Sequence, residues 1–195
     1  KRPYAKEAAK LAKNNPRLEV GLHFDIEYNF SYDKRNKFLE NLENDKSELS
    51  KNFLKKELFD QLKDFKELLG KLPSHIDGHH HVHKFSAILP FILEFSEENQ
   101  VPARDLSGIT RIKTFSTGNP KDVNKENLTK ILENLSDGIF ELMVHPGYTS
   151  DELRKTSSWS DIREKELKVL TSPEIKKMIK EEKIQLISWK DYLLS

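Results

Sequence analysis

Five of the chain's seven histidines, His75, His79, His80, His81 and His83, fall within nine residues of the stretch SHIDGHHHVHKF, Ser74 to Phe85. The other two, His23 and His145, each close an apolar run, so every histidine belongs to one of three short segments. Neutral imidazole is the commonest side-chain metal ligand. Three histidine segments separated by ordinary amphipathic sequence are therefore expected to converge on one metal site. The interleaved Asp77 and Val82 and the internal position exclude a purification tag. On extended backbone His75, Asp77, His79, His81 and His83 would all share one face. They cannot all reach one ion. At about 3.3 Å per residue His75 and His83 would lie roughly 26 Å apart, against metal–nitrogen bonds of about 2 Å. One or two neighbours at i, i+2 spacing can ligate; the rest orient them, touch substrate or pack. Gly78 is expected to allow a bend that re-aims His79.

A site with few imidazoles needs ligands from elsewhere, and His23 is the natural second. Two histidines and a carboxylate leave positions open for water and substrate, as catalysis requires. Such an ion polarises a carbonyl and lowers the pKa of bound water towards ~7. A nearby carboxylate would act as base, and a separately placed histidine as acid to the leaving group, a role that suits His145. Asp25 is either a third ligand or an exposed loop carboxylate. Arg104, after a strand-like run, is placed to bind an anionic oxygen or to sit exposed, and Tyr148 and Trp159 to stack on a sugar ring or to cover the core.

The elements that must position these residues alternate between helix and strand. Tyr4–Lys13 reads as a helix stopped at Asn14, Asn15 and Pro16, and Arg17–Phe24 as a strand ending near His23. The run from Ile26 to Lys37 reads as a long pocket-shaping loop. Apolar residues at three- and four-residue steps from Ser47 to Leu69 predict an amphipathic helix, ended by Gly70 and Pro73. Ala87–Phe95 reads as a helix with Pro90 in its first turn and Val101–Leu106 as a short strand. Ser107–Thr117 is ambiguous, and Lys121–Leu135 is helical. Gly138–Val144 is the strongest buried-strand run and delivers His145, Pro146 and Gly147. Helices over Asp161–Leu170 and from Pro173 through Glu182 follow, the second behind a Thr171–Ser172 cap, and Ile184–Trp189 reads as a final strand. Alternation with short joints predicts parallel strands in an α/β barrel or layered sheet, whose sites lie at the C-terminal strand ends.

At 195 residues without a composition shift or repeat, one domain is the economical reading. A net charge of +1 argues against a nucleic-acid partner, and no apolar run nears the roughly 20 residues of a membrane span. The absence of cysteine excludes disulfides and thiolate zinc sites and fits a cytoplasmic location.

The segments GLHF (Gly21 to Phe24), PSHIDGHHHVH (Pro73 to His83) and ELMVHPGY (Glu141 to Tyr148) resemble the YdjC-like carbohydrate deacetylases, which include chitooligosaccharide deacetylases. The likeness extends to ELFDQLKDF before the central motif and to the tail from Glu166. It implies a distorted (β/α) TIM-like barrel of the polysaccharide-deacetylase type, here without its first strand. It also implies removal of N-acetyl groups from small amino-sugar oligosaccharides with a divalent cation, Mg2+ by resemblance, while imidazole ligands favour Zn2+. Carried over, His23 and His79 match the metal-binding histidines and His145 the catalytic-region histidine. Asp77, His81, His83, Arg104 and Tyr148 are expected to touch substrate or support the ligands. The partner expected is a small oligosaccharide, and the reading allows a homodimer. The family's opening NADDFG-like motif, whose aspartates give a third ligand and the base, has no counterpart here, so the domain spanning 1–195 is expected to be N-terminally incomplete. Without that piece, weak metal binding and no turnover are expected. Other readings are a phosphoesterase, against which the lack of a second carboxylate-rich motif and a phosphate cradle speaks, and a non-catalytic metal- or sugar-binding protein.

Overall fold

The computed structural model describes residues 4–28, 39–43, 45, 47–115, 119–157 and 159–193. In chain order its elements are α1 (Ala5–Asn14), β1 (Leu22–Phe24), α2 (Glu48–Leu69), β2 (Ile76–Gly78), a 3-10 segment (His79–Lys84), α3 (Leu89–Asn99), β3 (Thr110–Ile112), a 3-10 turn (Pro120–Asp122), α4 (Lys125–Glu133), β4 (Phe140–Leu142), α5 (Asp151–Thr156), α6 (Ser160–Leu170), α7 (Pro173–Glu181) and α8 (Trp189–Leu193). The chain is α/β with parallel strand pairs, and it divides into two compact units, Lys1–Ser107 with Ile187–Ser195, and Gly108–Leu186.

In the first unit α2 forms where the apolar spacing predicts it. Ser47 accepts the Ser50 N–H at its start, and Gly70 closes it with a left-handed φ of 75°. Its buried face of Leu54, Leu58, Leu62 and Phe65 joins Phe24 of β1, Ile76 of β2, and Ile88 and Ile92 in one apolar core. β1 and β2 run parallel, pairing Leu22 with Ile76, His23 with Asp77 and Phe24 with Gly78. Arg17–Phe24 thus contributes only its last three residues as strand. The run Val101–Leu106 gives a single bridge, Ala103 to Ile76, with Arg104 N–H donating to the Ile76 carbonyl and Ile76 N–H to that of Pro102. Pro102 has no N–H to offer the ladder, which keeps this stretch from becoming a longer strand. Most of the loop expected from Ile26 to Lys37 lies outside the described residues.

In the second unit β3 pairs in parallel with β4, Arg111 opposite Glu141. Ser107–Thr117, ambiguous as sequence, therefore holds a strand. Gly138–Val144 yields only three strand residues, all half-buried rather than buried. The unit's core is Phe115, Val123, Leu128, Ile162, Val169 and Ile175. Ser172 caps α7 through the Ile175 N–H with Pro173 in the first turn, as its sequence predicts.

The expected strand Ile184–Trp189 does not form. Ser188 and Asp191 instead cap each other's backbone: Ser188 N–H donates to Asp191 Oδ2, and Asp191 N–H to Ser188 Oγ. This reciprocal cap starts α8 at Trp189.

Candidate metal centre

Two histidines meet in the first unit because a parallel register aligns what lies beside them. His23 and Asp77 are ladder partners, so their side chains leave the sheet on the same face. His23 Nδ1 lies 2.8 Å from Asp77 Oδ1. Arg104, brought alongside by the Ala103 bridge, donates from its guanidinium to Asp77 Oδ2 at 2.5 Å. Burial works to raise the Asp77 carboxyl, but the His23 hydrogen bond and the His23 and Arg104 charges outweigh it and hold its pKa below the ordinary value. An ionised Asp77 accepts from Nδ1–H, so whenever the His23 ring is neutral its lone pair lies on Nε2. That atom faces His79 Nδ1 at 3.3 Å.

The backbone after β2 turns sharply. His80 and His81 both adopt left-handed conformations, φ 47° and 60°, inside the 3-10 segment. For residues with a Cβ this costs about 1–2 kcal/mol each. The expectation of an extended face carrying five alternating side chains is therefore corrected. Gly78 is not the bend either, since its backbone is extended. A Cβ at Gly78 would meet the His83 backbone nitrogen and Nδ1 at 2.8 Å, so the glycine makes room for that ring.

The turn distributes the histidines among different tasks. His79 lies between two rings, with centroids 5.5 Å from His23 and 4.2 Å from His80. His80 Nδ1 reaches Glu27 Oε1 at 2.8 Å. His83 is fully buried and donates from Nε2 to the Arg104 carbonyl at 3.1 Å, and burial pushes its pKa down. His81 lines a cavity of about 390 Å³ with Glu40, Glu43, His80 and Lys84. His75 points elsewhere: it stacks on Trp189 at 5.0 Å and 19°, and burial lowers its pKa to about 4.

Asp25 Oδ1 accepts the Glu27 N–H at 2.8 Å. Glu27 and His80 were not marked by sequence reasoning. Glu27 lies among aromatic residues after β1 in a stretch without a clean period, and His80 falls off the alternating face, so neither carries a spacing signal. Among the described residues, Glu27, His79 and His80 are the histidine–carboxylate group whose candidate ligand atoms all lie within 4.8 Å of one another.

The second unit fixes the HPGYT loop after β4 onto α6. Glu166 Oε2 accepts the His145 N–H at 2.6 Å, the Arg163 carbonyl takes the Gly147 N–H, and Glu164 takes the Thr149 N–H. Burial raises the Glu166 pKa against the opposing pull of that His145 hydrogen bond. Trp159 packs partly buried against this unit's core, whereas Tyr148 is 85% exposed.

The residues present suit a divalent cation. Two nitrogens 3.3 Å apart, each about 2.1 Å from a shared ion, would subtend roughly 100°, between tetrahedral and octahedral values. A carboxylate on the far ring nitrogen is what metal-binding histidines ordinarily carry, and Asp77 supplies it to His23.

Fold and site together define an α/β protein with a histidine–carboxylate centre fit for a divalent metal. The sequence matches the model of the YdjC-like protein family over residues 1–181, and the chain belongs to that family. It is 31% identical to a carbohydrate deacetylase of Clostridium beijerinckii, over 94% of this chain and 82% of that protein. It is also 31% identical to a chitooligosaccharide deacetylase of Yersinia enterocolitica, with the same coverage. In fold it resembles the crystal structure of an Enterococcus faecalis protein suggested to cleave cellobiose phosphate, with a TM-score of 0.75 and 23% identity over 97% of this chain and 84% of that one. No helix among the described residues is long and apolar enough to cross a membrane.

Proposed function

We propose that this chain is a metal-dependent hydrolase that removes N-acetyl groups from small amino-sugar oligosaccharides, chitooligosaccharides among them. The observation that carries the reading is the His23–His79 nitrogen pair, 3.3 Å apart and backed by Asp77. Membership of a family whose relatives include carbohydrate deacetylases supports it.

His23 and His79 would hold the ion, which supplies Lewis-acid polarisation of the acetyl carbonyl and a more acidic water. Asp77 keeps the His23 lone pair on Nε2, and Arg104 keeps Asp77 ionised and aimed. In the overall reaction water adds to the acetyl carbonyl, the C–N bond breaks, and acetate and a free amine leave. His145 is assigned the proton for the departing nitrogen, with Glu166 fixing its backbone. His81, His83 and Tyr148 are assigned to substrate contact or ligand support. The ion is assigned as Mg2+ on the family resemblance, with Zn2+ as the alternative that the imidazole ligands favour. The reading extends to one cytoplasmic catalytic domain over 1–195, able to form a homodimer.

The test is acetate release from diacetylchitobiose by the full-length enzyme with Mg2+ or Zn2+. Release that is lost in EDTA and in His79→Ala is expected. Release unchanged in His79→Ala would remove that ligand. Bound metal without acetate would make the chain a binder, and turnover of a phosphate ester instead would make it a phosphoesterase.

A further inference from the structure

Glu27 is a carboxylate in an expensive place. Its side chain is 1% exposed, and a carboxylate withdrawn from water needs positive charge or a metal beside it. The main chain around it is held from two directions. Asp25 Oδ1 accepts the Glu27 N–H, and Gln61 of α2 both accepts the Asp25 N–H and donates to the Asp25 carbonyl, at 3.1 and 2.8 Å. Opposite stands His80, whose Nδ1 comes within 2.8 Å of Glu27 Oε1 only because His80 and His81 take left-handed backbone. A strained turn that aims an imidazole at a buried carboxylate, with His79 in reach of both, has the composition of a cation site: one hard oxygen and two nitrogens.

We propose that Glu27 is a metal ligand in this chain, the anionic member of a set with His79 and His80. The ion gains from Glu27 the negative charge that two neutral imidazoles lack. The left-handed turn is then the device that brings His80 to the same ion as His79, and the Asp25–Gln61 clamp fixes the carboxylate. This inference rests on the reading that the centre binds a cation. It does not require deacetylation.

Titration of the metal-free full chain with Co2+, followed by its visible absorption and by calorimetry, tests it. The unmodified chain is expected to bind one ion. Glu27→Gln, nearly isosteric, is expected to weaken binding by at least about 10-fold and to shift the absorption bands. Unchanged affinity and spectrum in Glu27→Gln would overturn the proposal, as would an unmodified chain that takes up no Co2+. Should Glu27→Gln fail to fold, His80→Gln, whose side chain is 43% exposed, carries the test with the same two outcomes. Glu27-dependent Co2+ binding without acetate release would sink the deacetylase reading and leave this one standing. Acetate release with Glu27-independent binding would do the reverse.

Discussion

Asp77 is the ladder partner of His23, and its carboxylate lies 2.8 Å from the imidazole Nδ1 while its other oxygen takes Arg104. Strand register thereby sets the ring's orientation: Nδ1 faces the carboxylate and Nε2 faces His79.

Replacing that carboxylate should loosen metal binding without touching a ligand. In Asp77→Asn, Zn2+ or Co2+ affinity is expected to fall about 10–100-fold, measured by competition with a chelating dye. Asp77→Ala also removes the carboxylate to which the Arg104 guanidinium donates, a group only 16% exposed, and is expected to lower stability by about 3 kcal/mol in urea denaturation. Equal metal affinity in Asp77→Asn would mean that the register pairing is structural only.

Gly78→Ala should be destabilising although the backbone there is extended. The added methyl would stand 2.8 Å from His83 Nδ1 and its backbone nitrogen, in a fully packed region. A loss of about 1–3 kcal/mol is expected from thermal or urea unfolding. Wild-type stability would show that His83 can move aside freely.

Stability should fall on acidification through a range set by His75. Its pKa is about 4 when folded, against an ordinary 6.5. Between those values the unfolded chain binds the proton and the folded one does not, so protonation favours unfolding. The contribution is complete above pH 6.5 and is lost as pH drops towards 4, at up to about 1.4 kcal/mol per pH unit. Burial of His83, whose pKa is also lowered, works in the same direction. His75→Phe, which keeps an aromatic ring against Trp189, is expected to flatten the urea midpoint between pH 4.5 and 6.5. An unaltered slope in that variant would assign the acid sensitivity to other groups.

Glu166→Ala removes the acceptor for the His145 N–H. Loss of that hydrogen bond is expected to cost about 0.5–1.5 kcal/mol. If His145 is the acid to the leaving group, kcat should drop well below the fall in folded fraction while KM stays near its original value. Proportional loss of kcat and folded protein would leave Glu166 with a structural role alone.

The sequence makes the long-range plan readable where the signal is local. The apolar steps of α2 and its Gly70 stop are visible in the residues themselves, and so is the clustering of histidines that makes a metal centre the first expectation. The pairing of His23 with Asp77 is not, because the spacing of two distant strands carries no register. Nor is the turn at His80 and His81, since neither residue is glycine or asparagine and only tertiary contacts, the Glu27 carboxylate foremost, hold them left-handed. Ile184–Trp189 misleads for the opposite reason. Its apolar content suggests a strand, while Ser188 and Asp191 already spell a helix start. His23 and His79 do come together, whereas His75 turns away to Trp189.

That last contact bears on how the protein is made. Trp189 and Tyr192 belong to the first unit: one stacks on His75, and the other donates its hydroxyl to the Ser107 carbonyl at 2.5 Å. Residues 108–186 must leave the ribosome before this segment can come home. β1 and β2 are thus synthesised before residues 108–186, yet His75 waits for a stacking partner made after them. During synthesis, His75 lacks its Trp189 contact while the whole second unit is being made, an interval in which a nascent chain is open to chaperones and to mispairing.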